Sequence, residues 1–438
     1  MTNKYNQFNQ EGLRTPKSRR ERILERLVTG TWENNKPVKK EECKNREEEY
    51  LLYAIDNRLQ LLDSDFIFKD KQIVSHCQTY QKLSDGTKQS VTFRHYYKAL
   101  VGAYDLKLAY GNFYVNGSTT IADTFNTNDI IVKASIEYKT KIFPVKFKGQ
   151  DSIIIKAGAT IESDPLGIDI AENDAFYVRT YVSVTNAGEK FPCGLSINYA
   201  NGEGEGTGDL TITGSTTPSY DANTYHPLAI LGKGSRKRSV LLCGDSLLTN
   251  YGSPSDYVVT GGYAGLALNN ANIPYTSISK SGDLAGSFVN NENRYCRANI
   301  IKNCTDVIVE YGINDVSSNT SLANLKTYLT SIWTSYANRG LKVYQATITP
   351  YTISTDSWAT AENQTPKNAV NETVRVQLND WIRTCPKPLN GFLEIADLAE
   401  TSRNSGIWKA GYSYDGLHPK NDVGMSALSQ GINLDYFK

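Results

Sequence analysis

The spacing of apolar residues changes twice along the chain, and each change predicts a different kind of structure. Before about residue 66 the spacing is helical, because apolar side chains recur at steps of one, three and four and so share one face. The first dozen residues are polar. We interpret residues 1–66 as a disordered and helical segment, which is either a docking or oligomerisation segment or a helical cap on the next domain. The apolar stripe consists of Leu51, Leu52, Ile55, Leu59 and Leu62.

From residue 67 to residue 235 the apolar period is two. Segments rich in Val, Ile, Tyr and Thr alternate with short turns that contain Gly, Asn and Asp. The glycine-rich stretch 201–214 is an exception, because its composition predicts a flexible loop. The pattern as a whole predicts an antiparallel β-sandwich, jelly-roll-like, over residues 67–235.

Residues 236–438 alternate between short apolar runs and stretches with helical spacing. Such alternation predicts an α/β domain, in which a parallel sheet lies between two layers of helices. The strands are expected within residues 238–244, 275–279, 306–312, 341–350 and 391–397, and the helices within 257–271, 321–340 and 368–385.

The length of the chain bears on the number of domains, and its charge and aromatic content bear on the partners that a soluble protein of this kind could bind. A chain of 438 residues is too long for one typical core, which agrees with the three regions above. The net charge of +1 gives no support for a nucleic-acid or anionic-membrane partner. The 28 tyrosines fit either exposed rings that stack on sugars or ordinary strand composition.

Seven scattered cysteines with no C-x-x-C pair predict neither a zinc site nor a disulfide framework. Only Cys296 and Cys304 are close enough in sequence for a local bridge. No apolar segment follows the N-terminal charges, and no stretch has the length of a membrane span, so we expect cytoplasmic synthesis without a signal peptide. Incorporation into a phage particle through residues 1–66 is one way in which such a protein could reach the outside.

The residues with the clearest chemistry follow the first apolar strand of the C-terminal region. Gly244, Asp245, Ser246 and Leu247 come directly after it, at the carboxyl edge where open parallel sheets bind ligands. A serine there lies near a helix N-terminus, whose free N–H groups can receive a developing oxyanion. The same tetrapeptide is also compatible with a simple strand-to-helix turn in which the serine caps the helix.

Two further segments supply the other groups that a serine nucleophile needs. Asn314 follows another apolar strand and has an amide that can donate to an oxyanion, although an Asn-Asp pair also suits an Asx turn. His418 can accept the serine proton, because its usual pKa lies near neutrality. Asp415, three residues earlier, can reach the second ring nitrogen and select the tautomer.

Taken together and in this order, the segments resemble the signature blocks of the SGNH hydrolase superfamily, also called GDSL esterases. Residues 244–247 resemble the nucleophile block, 312–315 the block that supplies the asparagine, and 415–418 the block with the acid and the base. A further signature block of the superfamily supplies a glycine whose backbone N–H donates to the oxyanion. Gly282 resembles this glycine, and Gly286 is the alternative candidate for it. The resemblance covers residues 236–438, and a β-sandwich precedes the hydrolase domain in some bacterial members.

The resemblance implies a three-layer, flavodoxin-like fold and a serine esterase that needs no metal and no organic cofactor. It implies Ser246, Asp415 and His418 as the catalytic triad, and Ser246, Gly282 and Asn314 as the oxyanion hole. The preceding β-region and the tyrosines favour a carbohydrate O-acetyl esterase. A general acyl esterase or lipase, a thioesterase or lysophospholipase, and a virion adhesin with an inactive hydrolase domain are the alternatives.

Overall fold

The computed structural model describes residues 71–115, 123–197, 199–219, 221–234, 238–249, 260–290, 297 and 300–437. The segment 1–66, for which docking, oligomerisation or virion attachment is predicted, lies outside these residues. The chain divides into two units, Met1–Ser64 and Asp65–Lys438, so the β-region and the α/β region belong to the same unit.

A parallel sheet of six strands forms the centre of the C-terminal region. Five of its strands have the order 2-1-3-4-5 when they are numbered along the C-terminal region, which is the flavodoxin-like order that the resemblance implied. All four pairings among these five strands are parallel, and most of the strand residues are buried. In chain order the five strands are Val240–Gly244, Tyr275–Ser277, Asp306–Glu310, Lys342–Ala346 and Gly391–Leu393.

The sixth strand of this sheet comes from the other region. His76–Gln78 pairs in parallel with Tyr275–Ser277 at the edge of the sheet, although it lies within the range 67–235. The ring of His76 stacks on Tyr275 with centroids 6.0 Å apart. The α/β sheet is therefore built from both regions, and a cut at residue 235 would separate one strand from it.

The helices of the described chain form two packed groups. Gly262–Asn270 packs against Val423–Ser429, which in turn contacts Ala396–Ala399. Leu322–Ala337 packs against both Ala285–Asn290 and Ala369–Arg383. Two separate groups are what a sheet covered on both faces requires, so the three-layer α/β arrangement is confirmed. The remaining helical turns are Ile313–Ser317, and the 3₁₀ turns Tyr199–Asn201, Ser246–Leu248 and Leu434–Phe437.

The ends of the two long helices follow from local sequence. Ser321 caps Leu322–Ala337 by accepting the N–H of Asn324, and Asn368 caps Ala369–Arg383 by accepting two N–H groups. Gly340 adopts φ +81° just after the first of these helices, where a residue with a side chain would be strained. Both helices lie within the ranges predicted from the sequence, 321–340 and 368–385.

The β-region consists of two larger antiparallel sheets that touch through a buried hydrogen bond of 2.8 Å between Tyr110 and Thr180. The first sheet contains Gln72–Ile73, Ala229–Gly234, Ala103–Gly111 and Thr160–Glu162. The second contains Ile153–Ile155, Ile130–Tyr138, Ala175–Ser183, Ser90–Lys98, Gly204–Thr207 and Thr217–Pro218, with Lys141–Val145 also paired to Ile130–Tyr138. Two-stranded ladders join Lys82–Leu83 with Pro192–Cys193, Leu195–Ile197 with Asp221–Thr224, and Phe113–Val115 with Asp123–Phe125. A further two-stranded ladder, Thr352–Ser354 with Gln364–Pro366, lies in the C-terminal region.

One local expectation for this region is wrong. The glycine-rich stretch predicted as a flexible loop contains the strand Gly204–Thr207, which pairs with Ser90–Lys98. A Cβ at Gly204 would overlap the carbonyl oxygen of Thr217 on the neighbouring strand. The glycine therefore permits a close backbone approach, and composition alone could not distinguish that role from flexibility.

The cysteines of the described chain are free thiols, among them buried Cys304. Cys296, its candidate partner, lies outside the described residues. Burial raises the pKa of Cys243 to about 11, with a hydrogen bond from Tyr336 as the first effect that opposes the shift. Among the described helices, none combines the length and the apolar character that crossing a membrane requires.

Candidate active site

Ser246 lies directly beyond the carboxyl end of the central strand Val240–Gly244. Gly244 is needed there, because a Cβ would come within 2.5 Å of the carbonyl oxygen of Glu310 on the next strand. Asp245 then accepts the N–H of Leu247 at 3.0 Å and so turns the chain into a short 3₁₀ helix that begins at Ser246. This is the point where the strand order reverses, and open α/β sheets form their ligand sites at such a point.

Ser246, His418 and Asp415 form a continuous hydrogen-bonded chain. Ser246 Oγ lies 2.8 Å from His418 Nε2, and His418 Nδ1 lies 2.7 Å from Asp415 Oδ2. An ionised carboxylate can only accept, so Nδ1 carries the hydrogen and Nε2 is left to accept the serine hydroxyl. The tautomer that a general base requires is therefore the one that this geometry selects.

The turn that holds Asp415 and His418 is fixed by its own backbone. Asp415 Oδ1 accepts the N–H groups of Leu417 at 2.9 Å and His418 at 2.7 Å. Partial burial alone would raise the pKa of Asp415, but the hydrogen bonds from His418 and the two backbone groups lower it. Asp415 is consequently ionised at neutral pH and can stabilise a positive charge on the imidazole.

Gly416, between the two, adopts φ +83°, and a Cβ there would overlap the carbonyl oxygen of Thr352. Its own carbonyl oxygen accepts the indole N–H of Trp408 at 2.9 Å and the N–H of Thr352 at 2.9 Å. Tyr414 stacks on the ring of His418 with centroids 5.9 Å apart and is 36% exposed. The turn therefore fixes the backbone of His418, and the exposed ring of Tyr414 covers one face of its imidazole.

Asn314 lies at the carboxyl end of the neighbouring strand, in the helical turn Ile313–Ser317. Its side-chain amide donates to Asp245 Oδ2 at 2.9 Å and to the carbonyl oxygen of Asp283 at 3.1 Å. The amide thereby joins the turn that contains Ser246 to the loop that contains Gly282. In this structure both amide hydrogens have protein acceptors, which the sequence could not indicate.

The two candidate glycines have different surroundings. Gly286 donates its N–H to Asp315 Oδ1 at 3.1 Å, and Ala285 donates to the other oxygen of the same carboxylate at 2.8 Å. Gly282 lies in the loop after the strand Tyr275–Ser277 and adopts φ +72°, a conformation that glycine accommodates without strain. The N–H of Gly286 is therefore engaged in holding a helix N-terminus, which favours Gly282 as the donor to a substrate.

A pair of buried carboxyl groups lies behind the serine. Burial raises the pKa of Asp245 to about 6 and that of Glu310 well above its usual range, and the neighbouring charge of Asp245 adds to the shift at Glu310. The two side chains hydrogen-bond to each other, which requires a shared proton, and the described residues offer Oε2 of Glu310 no N–H or O–H donor. Glu310 was not singled out from the sequence, although a glutamate inside a fully buried apolar strand was a signal.

The other three histidines are structural. His76, His95 and His226 are buried in the β-region or at its edge, and burial lowers their pKa values, to about 4 for His76 and His226. They are neutral at physiological pH and contact other aromatic rings. In the described chain no group of three or more His, Cys, Asp or Glu side chains is arranged to hold a metal ion.

A cavity of about 230 Å³ lies beside the turn that contains Asn314. Its wall includes Ile313, the residue before Asn314, and Tyr351. Tyr351 lies between Pro350 and Thr352, and both of these residues are connected by hydrogen bonds to the turn that contains His418. Trp408 bridges the carbonyl oxygens of Pro350 and Gly416, and Thr352 donates to Gly416. The remaining wall consists of Val316, Ser317, Asn319, Lys367, Asn368, Asn371, Glu372 and Arg375.

Solved structures that match this chain include hydrolases of the kind that the sequence motifs resemble. A putative lipolytic protein of the G-D-S-L family from Desulfitobacterium hafniense is 14% identical with a TM-score of 0.35, over 44% of this chain and 97% of that one. An acetylxylan esterase from Geobacillus stearothermophilus is 16% identical with a TM-score of 0.34, over 46% and 94%. A GDSL-like lipase from Bacteroides thetaiotaomicron is 15% identical with a TM-score of 0.32, over 45% and 87%. No protein-family model and no curated protein matches the chain.

Proposed function

We propose that the protein is a serine esterase in which Ser246 is the nucleophile, His418 the general base and Asp415 the group that orients it. The observation that carries the proposal is the chain of two hydrogen bonds, 2.8 Å and 2.7 Å long, from Ser246 Oγ through His418 to Asp415. A serine hydroxyl needs such a base before it can attack an ester at neutral pH.

The reaction has two similar halves. Ser246 Oγ attacks the ester carbonyl carbon while its proton moves to His418 Nε2, and the tetrahedral intermediate expels the alcohol, which takes that proton. Water then attacks the acyl-serine in the same way, which releases the acid and restores the serine. Because Asp415 holds the imidazolium during both halves, every proton is transferred at His418 Nε2.

The oxyanion of the intermediate is assigned to the backbone N–H groups of Ser246 and Gly282, with Asn314 as the third donor. Ser246 begins a helical turn, where N–H groups point outward, and Gly282 has the more suitable surroundings of the two candidate glycines. The amide of Asn314 would have to share one of its two present hydrogen bonds with the substrate. Asn314 would therefore have two roles, which are to donate to the oxyanion and to hold Asp245 and Asp283 in place.

The substrate that we favour is an O-acetylated carbohydrate. The exposed ring of Tyr414 over His418 adds an aromatic surface on which a sugar can stack. A lipase would instead need a large apolar surface for its acyl chain.

The test is acetate release from a panel of acetylated polysaccharides by the wild type and by Ser246→Ala. We expect release by the wild type and a loss of at least about 10³-fold in the variant, because the nucleophile is gone. Thr249→Ser, which changes a neighbouring hydroxyl residue without removing the hydroxyl, is the matched control and should stay active. Turnover by Ser246→Ala equal to that of the wild type would end the esterase assignment.

A second comparison decides the substrate class. With 4-nitrophenyl esters of increasing chain length, a carbohydrate acetyl esterase should have its highest kcat/KM for acetate and lose activity as the chain grows. A rise of kcat/KM towards octanoate would leave the esterase assignment intact but would replace the carbohydrate substrate with a lipid-like ester.

A further inference from the structure

Four buried charged side chains lie together behind the loop that contains Gly282. Arg297 is central: its Nε lies 2.6 Å from Asp123 Oδ1, and its Nη1 donates to Asp283 Oδ2 at 3.2 Å. Lys280 Nζ lies 3.6 Å from the other oxygen of Asp283. Each of the four is at most 3% exposed, and their two positive and two negative charges balance. We call Asp123, Lys280, Asp283 and Arg297 the buried charge cluster.

Asp123 reaches this cluster from the β-region. It lies in the strand Asp123–Phe125, which forms a hairpin ladder with Phe113–Val115. Its carboxylate binds Arg297 twice, through Nε and through the backbone N–H of the same residue at 2.9 Å. One aspartate of the β-region therefore fixes both the backbone and the side chain of an arginine 174 positions away.

Arg297 and its partners hold the Gly282 loop from several sides. Arg297 Nη1 also donates to the carbonyl oxygen of Ile278 at 3.2 Å, at the start of the loop. Tyr311 donates to Asp283 Oδ2 at 3.0 Å, and the carbonyl oxygen of Asp283 accepts the amide of Asn314. The residue directly after Gly282 is thus bound through its side chain to the charge cluster and through its backbone to the oxyanion region.

Other groups of the β-region bind the same loop. Gln81 Nε2 donates to the carbonyl oxygen of Ser279 at 3.1 Å, and the N–H of Thr79 donates to the carbonyl oxygen of Ser277 at 2.9 Å. These contacts fix the beginning of the loop, whereas the charge cluster contacts both its beginning, at Ile278, and its end, at Asp283. The direction of the Gly282 N–H consequently depends on residues that lie outside the α/β region.

We propose that Asp123 is a positioning residue for ester hydrolysis: through Arg297 and Asp283 it holds the Gly282 loop in the orientation that receives the oxyanion. The inference rests on the proposed function. Buried charges are held firmly only while all partners are present, and without the Asp123 carboxylate Arg297 is drawn towards Asp283 alone. A donor displaced by about 1 Å loses much of its effect on the transition state.

The experiment compares Asp123→Asn with Glu137→Gln in the full chain. Glu137 is the matched control, because it is an acid of the β-region that, like Asp123, pairs with arginine, here Arg94 and Arg179, but its contacts lie away from the Gly282 loop. With 4-nitrophenyl acetate, Asp123→Asn should lower kcat by about 10- to 100-fold with KM changed by less than about threefold. Its rate of inactivation by diethyl 4-nitrophenyl phosphate should fall in parallel, since that reaction uses the same oxyanion donors.

Glu137→Gln should keep its kcat even if both variants lose similar thermal stability. Equal kcat in Asp123→Asn and wild type, or equal losses in both variants, would overturn the proposal. If Asp123→Asn does not fold, Arg297→Lys replaces it, because lysine keeps the charge but cannot bridge two carboxylates in the same way. A folded Arg297→Lys protein with wild-type kcat would also overturn it. Turnover that survives in Ser246→Ala would instead show that the proposed function itself is wrong.

Discussion

At the scale of single residues, the site combines groups that are near in sequence with groups that are far apart. Asp415 and His418 are three positions apart, so their contact is visible in the sequence as a spacing. Ser246 and His418 are 172 positions apart, and only the order of the motifs related them before the structure was known. Asp123 and Arg297 have no motif at all, so their pairing could not have been predicted from one sequence.

The carboxyl pair behind the serine leads to a prediction about pH. Where burial raises a carboxyl pKa, the folded protein keeps a proton that the unfolded chain has already released. The free energy of unfolding therefore falls as pH rises from about 4 through the raised pKa of Asp245, about 6. It continues to fall towards the raised pKa of Glu310. Glu310→Gln removes one of the two ionisable carboxyl groups and its electrostatic repulsion of Asp245. We expect the loss of unfolding free energy between pH 4.5 and 7.5 to be smaller in the variant than in the wild type, because Glu310 no longer releases a proton in this range on unfolding.

Urea unfolding at the two pH values measures this difference directly. Glu362→Gln, which changes an exposed glutamate, is the control and should show the wild-type dependence. If Glu310→Gln lost as much stability between the two pH values as the wild type does, the shared proton would not exist.

At the scale of elements, the sequence predicted the α/β region well because its strands and helices are separate, periodic and ended by clear signals. Leu322–Ala337 and Ala369–Arg383 lie within the predicted helices, and the five strands lie where apolar runs predicted them. The pairing of His76–Gln78 with the α/β sheet was not predictable, since three residues contain too little pattern to indicate a partner strand.

The strand Gly204–Thr207 gives a test at this scale. Because a Cβ at Gly204 would overlap the carbonyl oxygen of Thr217, we expect Gly204→Ala to lower the unfolding free energy by about 1 to 3 kcal/mol. Gly167→Ala is the control, because a Cβ there meets no atom within 4 Å, and its effect should stay within about 0.5 kcal/mol. Thermal unfolding of the two variants is the measurement, and equal melting temperatures would mean that the stretch is a loop after all.

At the scale of the whole molecule, the β-region and the α/β region are parts of one structure. They share the six-stranded sheet through His76–Gln78, and the buried charge cluster joins them again at the Gly282 loop. Attachment to a phage particle through residues 1–66 stays a prediction from sequence, which mass spectrometry of purified virions would test.

The shared sheet predicts how fragments behave. A fragment of residues 236–438 lacks an edge strand and Asp123, so we expect it to be inactive or to have a kcat at least about 10-fold lower. A fragment of residues 65–438 keeps every group named in the site and should retain the kcat of the full chain. Full activity in the shorter fragment would mean that the β-region takes no part in the chemistry.

The central claim is that Ser246 forms the acyl-enzyme, and one measurement addresses it most directly. The protein is mixed with 4-nitrophenyl acetate, quenched in acid within the first turnovers, digested and analysed by mass spectrometry. We predict one acetyl group on the peptide that contains Ser246, and none on that peptide in Ser246→Ala. An acetyl group on another residue with Ser246 unmodified, at undiminished turnover, would contradict the account.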